Sequence, residues 1–194
     1  EELSEGADDP YELFLEFIEE ATNDPTVKVI GIDNIAECYK AFENHYLFKN
    51  ELDEIPKKDF GATRGQVNRM FETVLNGLKY DSRLGVIFTC HTKEKEADFN
   101  TGTTEQVYGP AVSTGVLDFL KKSMDFAFFV GWHDKKRAIH CRWDSIWTKC
   151  GSKDRFLTPK GVPLQAFALP DDPAKSWEQI LKAWNNKLKG FTQD

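Results

Sequence analysis

Apolar residues recur at helical spacing in several stretches of this chain and crowd into short, almost uninterrupted runs between them. Asp9 and Pro10 suit a helix start, with Asp as cap and Pro at the first helical position. Leu13, Phe14, Phe17, Ile18 and Ala21 then fall on one face, and Asn23-Asp24-Pro25 ends the segment. Residues 27–32 (VKVIGI) are nearly all apolar, which predicts a strand covered on both faces. A helix follows over about 34–48, with Ile35, Tyr39, Phe42 and Tyr46 spaced for burial. Residues 49–63 read as a polar loop. A strongly amphipathic helix over about 64–79 turns Val67, Met70, Phe71, Val74, Leu75 and Leu78 inward, and residues 84–90 (LGVIFTC) make a second strand of the buried type.

This strand–helix–helix–strand order predicts an α/β layer fold with parallel strands. Residues 92–112 read as a long polar loop, of the length that is often functional. A short helix is expected over 114–122. Strands over 124–132 and 138–143 flank the turn His133-Asp-Lys-Lys-Arg137 and predict a hairpin. Residues 149–170 look irregular. Trp177, Ile180, Leu181, Trp184 and Leu188 place a last amphipathic helix on the core.

Composition narrows the class. The 194 residues suit one domain, and 15 Phe with 5 Trp allow a sizeable core. No apolar run reaches the roughly 18 residues that span a bilayer, so no membrane partner is expected. The acidic opening is the opposite of a secretory leader. Cys38, Cys90, Cys141 and Cys150 are scattered, which suits a reducing cytoplasm better than a disulfide framework. Charge is uneven. Residues 1–60 carry 5 Lys/Arg against 17 Asp/Glu, and residues 61–194 carry 20 against 15. Such an asymmetry can steer a polyanion to one side, although solvated helix faces produce the same pattern.

The candidate chemistry lies at the strand ends. Asp33 ends an apolar strand, and in open α/β sheets ligands bind beyond the carboxyl ends of the strands. A carboxylate there can hold the water shell of a magnesium ion that bridges nucleotide phosphates. The other reading is a helix start, with Asn34 and Glu37 as a capping pair. Thr89 and His91 close the second strand, where a hydroxyl or imidazole can sense a terminal phosphate. A loop carbonyl can equally satisfy such a His. Lys57, Lys58, Phe60, Arg64 and Arg69 mark one basic and aromatic segment, and Lys93, Lys95, Phe99 and Tyr108 another. Cations interleaved with aromatics suit single-stranded DNA, where phosphates pair with charge and bases stack. His140, Cys141 and Cys150 raise a zinc reading. Adjacent positions 140 and 141 on a strand face opposite ways, and no C-x2-C pair is present.

The runs VKVIGIDNIAECY, DFGATRGQVNRMFETVLNGL and LGVIFTCHTKEKE, followed by YGPAVSTGVLDFLKKSMDFAFFVGW, RAIHCRW and KCGSKDRF, resemble the phage RecA-like ATPases associated with single-strand annealing. The resemblance spans about residues 10–170, in order. It implies a RecA-like three-layer core with a mostly parallel sheet, plus a C-terminal β-hairpin and helix, forming one domain over 1–194. The run at 27–39 matches that family's Walker B strand, and the strand ending in His91 matches its sensor strand. ATP and Mg²⁺ are the implied cofactors. Asp33 would hold Mg²⁺ through water, Asn34, Thr89 and His91 would line the nucleotide, and His91 would sense the γ-phosphate. Arg155 would act as a finger residue across a homo-oligomer interface. Lys57, Lys58, Phe60, Arg64, Lys93 and Lys95 would face single-stranded DNA. The family's phosphate loop, G-x-x-x-x-G-K-[ST], does not occur in the sequence, so the first strand and that loop are expected upstream, or else the scaffold works without nucleotide as a DNA-binding or structural module.

Overall fold

The computed structural model describes residues 9–58, 60–81, 83–98, 104–133, 135–141 and 156–190. They divide into two compact units, Glu1–His91 with Ala111–Ser123, and Thr92–Pro110 with Met124–Asp194.

The first unit holds helices α1 (Pro10–Asn23), α2 (Ile35–Lys49), α3 (Phe60–Asn76) and α4 (Thr114–Ser123), and strands β1 (Val29–Ile32) and β2 (Gly85–Phe88). Asp9 caps α1 by accepting the Tyr11 N–H at 2.9 Å, with Pro10 in the first turn. β1 and β2 pair in parallel, Val29 opposite Gly85 through Ile32 opposite Phe88. Two helices lie between them in sequence, because a parallel pair needs a crossover rather than a hairpin.

The core is aromatic. Phe42 is fully buried, and its ring meets Tyr11, Phe14 and Phe71 edge to face at 4.9, 5.9 and 5.2 Å. Phe71 continues the chain to Tyr39 and Phe119. Each such pair contributes about 0.5–1.5 kcal/mol beyond area burial. Ile30, Ile32, Ile35, Val67, Leu75 and Leu78 complete the cluster.

Several expectations are corrected here. α3 begins at Phe60 rather than Arg64, so Phe60 stands on the helix and not in the loop before it. α3 continues into a π-helical turn at Gly77–Asp81. β1 is covered on one face only: Ile30 and Ile32 are buried, whereas Val29 is 53% exposed, as Ile87 on β2 is 55% exposed. On α1, Ala21 is buried and Phe14 and Ile18 pack on the core, but Leu13 and Phe17 are exposed.

The second unit is built on antiparallel pairing. Within the expected loop 92–112, residues 92–98 and 104–110 are strands. Strands β3 (Thr92–Asp98) and β4 (Thr104–Pro110) pair over seven positions, Thr92 opposite Pro110 through Asp98 opposite Thr104. The Lys/Glu alternation of β3 is polar at odd and even positions alike, and β4 opens on three polar residues, so hydropathy carries no period-2 contrast to reveal them. β5 (Phe129–His133) and β6 (Lys136–His140) form the expected hairpin. β7 (Ala166–Ala168), inside a stretch that reads as irregular, adds to β6. Ile139, Cys141, Phe156, Leu164, Phe167 and Ala183 form this unit's core. The last helix, α5 (Pro173–Trp184), buries Ala183 and packs Ile180, while Trp177 and Leu181 are exposed, contrary to expectation.

The described residues thus form a mixed α/β protein. The mostly parallel sheet is not what they form: there are one parallel pair and two antiparallel sheets. No helix among them is long and apolar enough to cross a membrane.

Candidate functional site

The parallel pairing of β1 and β2 carries both chains to the same sheet edge, where Asp33 and Thr89 are the next residues on each. Thr89 is built into this edge through three bonds. Its N–H donates to the Ile32 carbonyl at 3.0 Å, its carbonyl accepts the Ile35 N–H at 3.1 Å, and its hydroxyl donates to Asp33 Oδ1. The Asp33–Asn34 peptide is cis.

The helix-start reading is borne out at Asn34. The cap of α2 is Asn34, whose Oδ1 accepts the N–H groups of Ala36 and Glu37 at 3.0 and 3.1 Å. Asp33 is therefore not spent on capping, and its bond to Thr89 occupies one carboxylate oxygen. The Asn34 acceptor is committed to the helix, which leaves only its amide N–H₂ for a ligand. His91 lies two residues beyond Thr89. Its side chain is exposed, and its carbonyl accepts the Ala111 N–H at 2.7 Å, which ties the start of the α4 segment to this edge.

A carboxylate, a hydroxyl and an imidazole at a sheet edge can bind a hydrated cation through one anionic ligand and donate to a phosphate oxygen. One carboxylate fits Mg²⁺ held through its water shell, because Mg²⁺ keeps several waters and takes few protein ligands.

The first basic segment divides. Lys57 and Lys58 are exposed in the loop before α3. Phe60 is exposed at the helix start, and the Arg64 guanidinium lies 5.2 Å from its ring centroid. Arg64 also donates to Glu43 at 2.8 Å, so a carboxylate already neutralises it. In the second segment, Lys93 is exposed opposite Gly109, and Lys95 stands opposite Val107 on the β3–β4 ladder. Arg155 and Phe99 lie outside the described residues. The zinc reading gains nothing: His140 and Cys141 are both buried in the second unit, and Cys150 lies outside the described residues. Cys38, Cys90 and Cys141 are free thiols, and burial pushes the Cys38 thiol up to about 12, which makes it unreactive.

One cluster escaped the sequence reading. Asp9, Glu12 and His45 bring ligand atoms within 4.8 Å of one another. His45 is 4% exposed, with Nδ1 at 2.5 Å from Asp9 Oδ2 and Nε2 at 3.9 Å from Glu12. Lys49 also stands 3.9 Å from Glu12 and supplies positive charge where a cation would sit. The arrangement therefore works as a latch between α1 and α2. Its sequence trace is a pair of spacings, 9/12 on α1 and 45/49 on α2, which mean nothing until the helices are known to touch.

No protein-family model, no curated protein and no solved structure matches the chain.

Proposed function

We propose that the first unit is the magnesium–nucleotide edge of a RecA-like ATPase core that acts on single-stranded DNA in phage recombination or annealing, as a homo-oligomer in the host cytoplasm. One observation carries this reading: two adjacent parallel strands end in Asp33 and Thr89, joined by a hydrogen bond, with Asn34 taking the capping duty. Carboxyl ends of parallel strands are where such sheets bind ligands. Asp33 would hold the ion through water, and His91 would donate to the terminal phosphate. When bound, Mg²⁺ supplies neutralisation of charge on the phosphates. Lys57, Lys58, Phe60, Lys93 and Lys95 are the residues for the strand, and Arg155 the finger at a subunit interface. Arg64 contributes less than its charge promises, because Glu43 holds it.

The test joins the chain to an upstream segment carrying G-x-x-x-x-G-K-[ST]. That protein should hydrolyse ATP with Mg²⁺, and Asp33→Asn should remove most of the activity. Full activity in the variant would refute the assignment. By calorimetry, the 194-residue chain alone should bind ATP only weakly, because no phosphate loop is present in it.

That same missing motif favours a second reading, a DNA-binding or structural module that uses the scaffold without hydrolysis. Strand binding with the extended protein inert toward ATP would select it.

A further inference from the structure

We propose that the β5–β6 hairpin of the second unit is a contact for single-stranded nucleic acid, with Trp132 as the stacking platform and Lys135, Lys136 and Arg137 as phosphate partners. The sequence offered the three cations only as a turn and Trp132 only as the end of a strand. The proposal shares with the reading above the class of partner and nothing else.

The hairpin has two unlike faces. On one, the Phe129 ring lies over Gly131 so closely that a Cβ there would come within 2.3 Å of it, and Phe129 also meets the ring of His140. On the other, Val130 is 55% and Trp132 73% exposed. Trp132 is cross-strand to Arg137, so indole and guanidinium share a face. The strands close through the His133–Lys136 pair, and Lys135 takes the turn at φ 61°. Three cations thus follow one another in sequence at the end of the hairpin, Arg137 on the face of Trp132 and Lys136 on the opposite one; Trp132 is the most exposed large apolar side chain among the described residues of this unit, and Lys135 and Lys136 are exposed.

Acids are also present. Arg137 Nη2 lies 3.3 Å from Asp171 Oδ1, and Asp134 sits in the turn by sequence. The Asp171 side chain is 94% exposed, so this is a surface pair that a phosphate can replace.

Charge and shape choose the occupant. Three cations beside a planar aromatic call for a partner with both anionic groups and flat apolar faces, which a single strand offers at every nucleotide. A lipid surface fits less well. The strands close at the His133–Lys136 pair, and Trp132 lies on the strand face behind it, where it cannot lead an insertion. A twofold contact between copies would set the three cations against themselves.

The test uses the full chain, a fluorescein-labelled oligothymidylate, and anisotropy over a salt series. Trp132→Ala should weaken binding roughly 5- to 100-fold and leave the salt slope unchanged. Lys135→Gln with Lys136→Gln should reduce the slope of log K against log salt by about 1.4, since each phosphate contact contributes about 0.7. An abasic strand should be insensitive to Trp132→Ala. Trp132 is surface-exposed, so circular dichroism should match wild type. Wild-type affinity and slope in both variants would overturn the hairpin site while leaving strand binding elsewhere intact. An equal loss on the abasic strand would overturn stacking. Binding to anionic vesicles but not to the strand, lost in Trp132→Ala, would overturn the partner in favour of lipid. Failure of the wild type to bind any strand would overturn this proposal and the DNA part of the proposed function, while the nucleotide edge would still answer to its own ATP experiment.

Discussion

Asp9→Ala should destabilise the first unit far more than its place at the start of the described chain suggests. Asp9 does two jobs with two oxygens. Oδ1 caps α1 through the Tyr11 N–H at 2.9 Å, and Oδ2 lies 2.5 Å from Nδ1 of the buried His45. Losing an Asp cap costs about 1 kcal/mol. Leaving a buried ring nitrogen without a partner costs about 1–3 kcal/mol more. The expected loss is thus about 2–4 kcal/mol, a large share of the roughly 5–15 kcal/mol that holds a domain together. Asp9→Asn keeps a capping oxygen and should lose less than half of that.

The assay is urea unfolding followed by far-UV circular dichroism, which reads helices α1–α4. All five Trp lie in the second unit's sequence, so their fluorescence follows that unit in the same samples. With a slope of about 2 kcal/mol per molar urea, the dichroism midpoint should fall by about 1–2 M. The pH dependence follows from the Asp9 carboxyl. Burial raises its pKa, but the bonds from His45 and the Tyr11 N–H, with the charges of His45 and Lys49, outweigh burial and hold it below 3.8. A carboxyl depressed by folding stabilises above its unfolded pKa and stops doing so as pH falls through the folded one. The gap between wild type and Asp9→Ala should therefore be constant from neutrality down to about pH 5 and shrink below about pH 4. An unmoved midpoint at pH 7, or an undiminished gap in strong acid, would refute the latch.

Phe42→Ala should cost about 3–5 kcal/mol, because it removes a fully buried ring and three edge-to-face contacts together; the dichroism midpoint measures this, and a loss below 1 kcal/mol would contradict the packing. Gly115→Ala would set a Cβ 2.4 Å from Asn68 Nδ2 and disturb the 2.7 Å bond from the Tyr39 hydroxyl to Asn68, so thermal unfolding should show a loss of about 1–2 kcal/mol. Lys57→Glu with Lys58→Glu should weaken single-strand binding and lower its salt slope by about one to two, read by anisotropy; an unchanged slope would remove that loop from the strand's path.

The apolar positions of α2 and α3 were legible because burial there follows one period per element. Tyr39, Phe42, Val67, Phe71 and Leu75 stand where their spacing put them. The meeting of Asp33 and Thr89 was also legible, since it follows from parallel pairing alone. The cap of α2 was legible too, since Asn34 with Glu37 three residues on is a good helix start, and Asn34 Oδ1 does accept the Glu37 N–H. β3 was hidden because Lys and Glu occupy both faces, and β4 because it opens on three polar residues. The partners Asp9–His45 and Arg64–Glu43 are 36 and 21 positions apart and depend on which helix faces touch, which no local pattern encodes. Trp132 was read only as part of a strand, and its exposure depends on how far toward the turn the second core reaches, since Ile139 on the same face is buried.

The central claim, that Asp33 and its neighbours form a nucleotide–metal edge, is tested most directly by paramagnetic broadening in the isotopically labelled chain. Mn²⁺ with ATP would be titrated at millimolar concentration, which detects weak binding. Amide signals of residues 31–36 and 89–91 should broaden selectively, and Asp33→Asn should abolish that broadening while any effect near Glu12 persists. Broadening that spares the Asp33 edge, or that survives Asp33→Asn unchanged, would contradict the account.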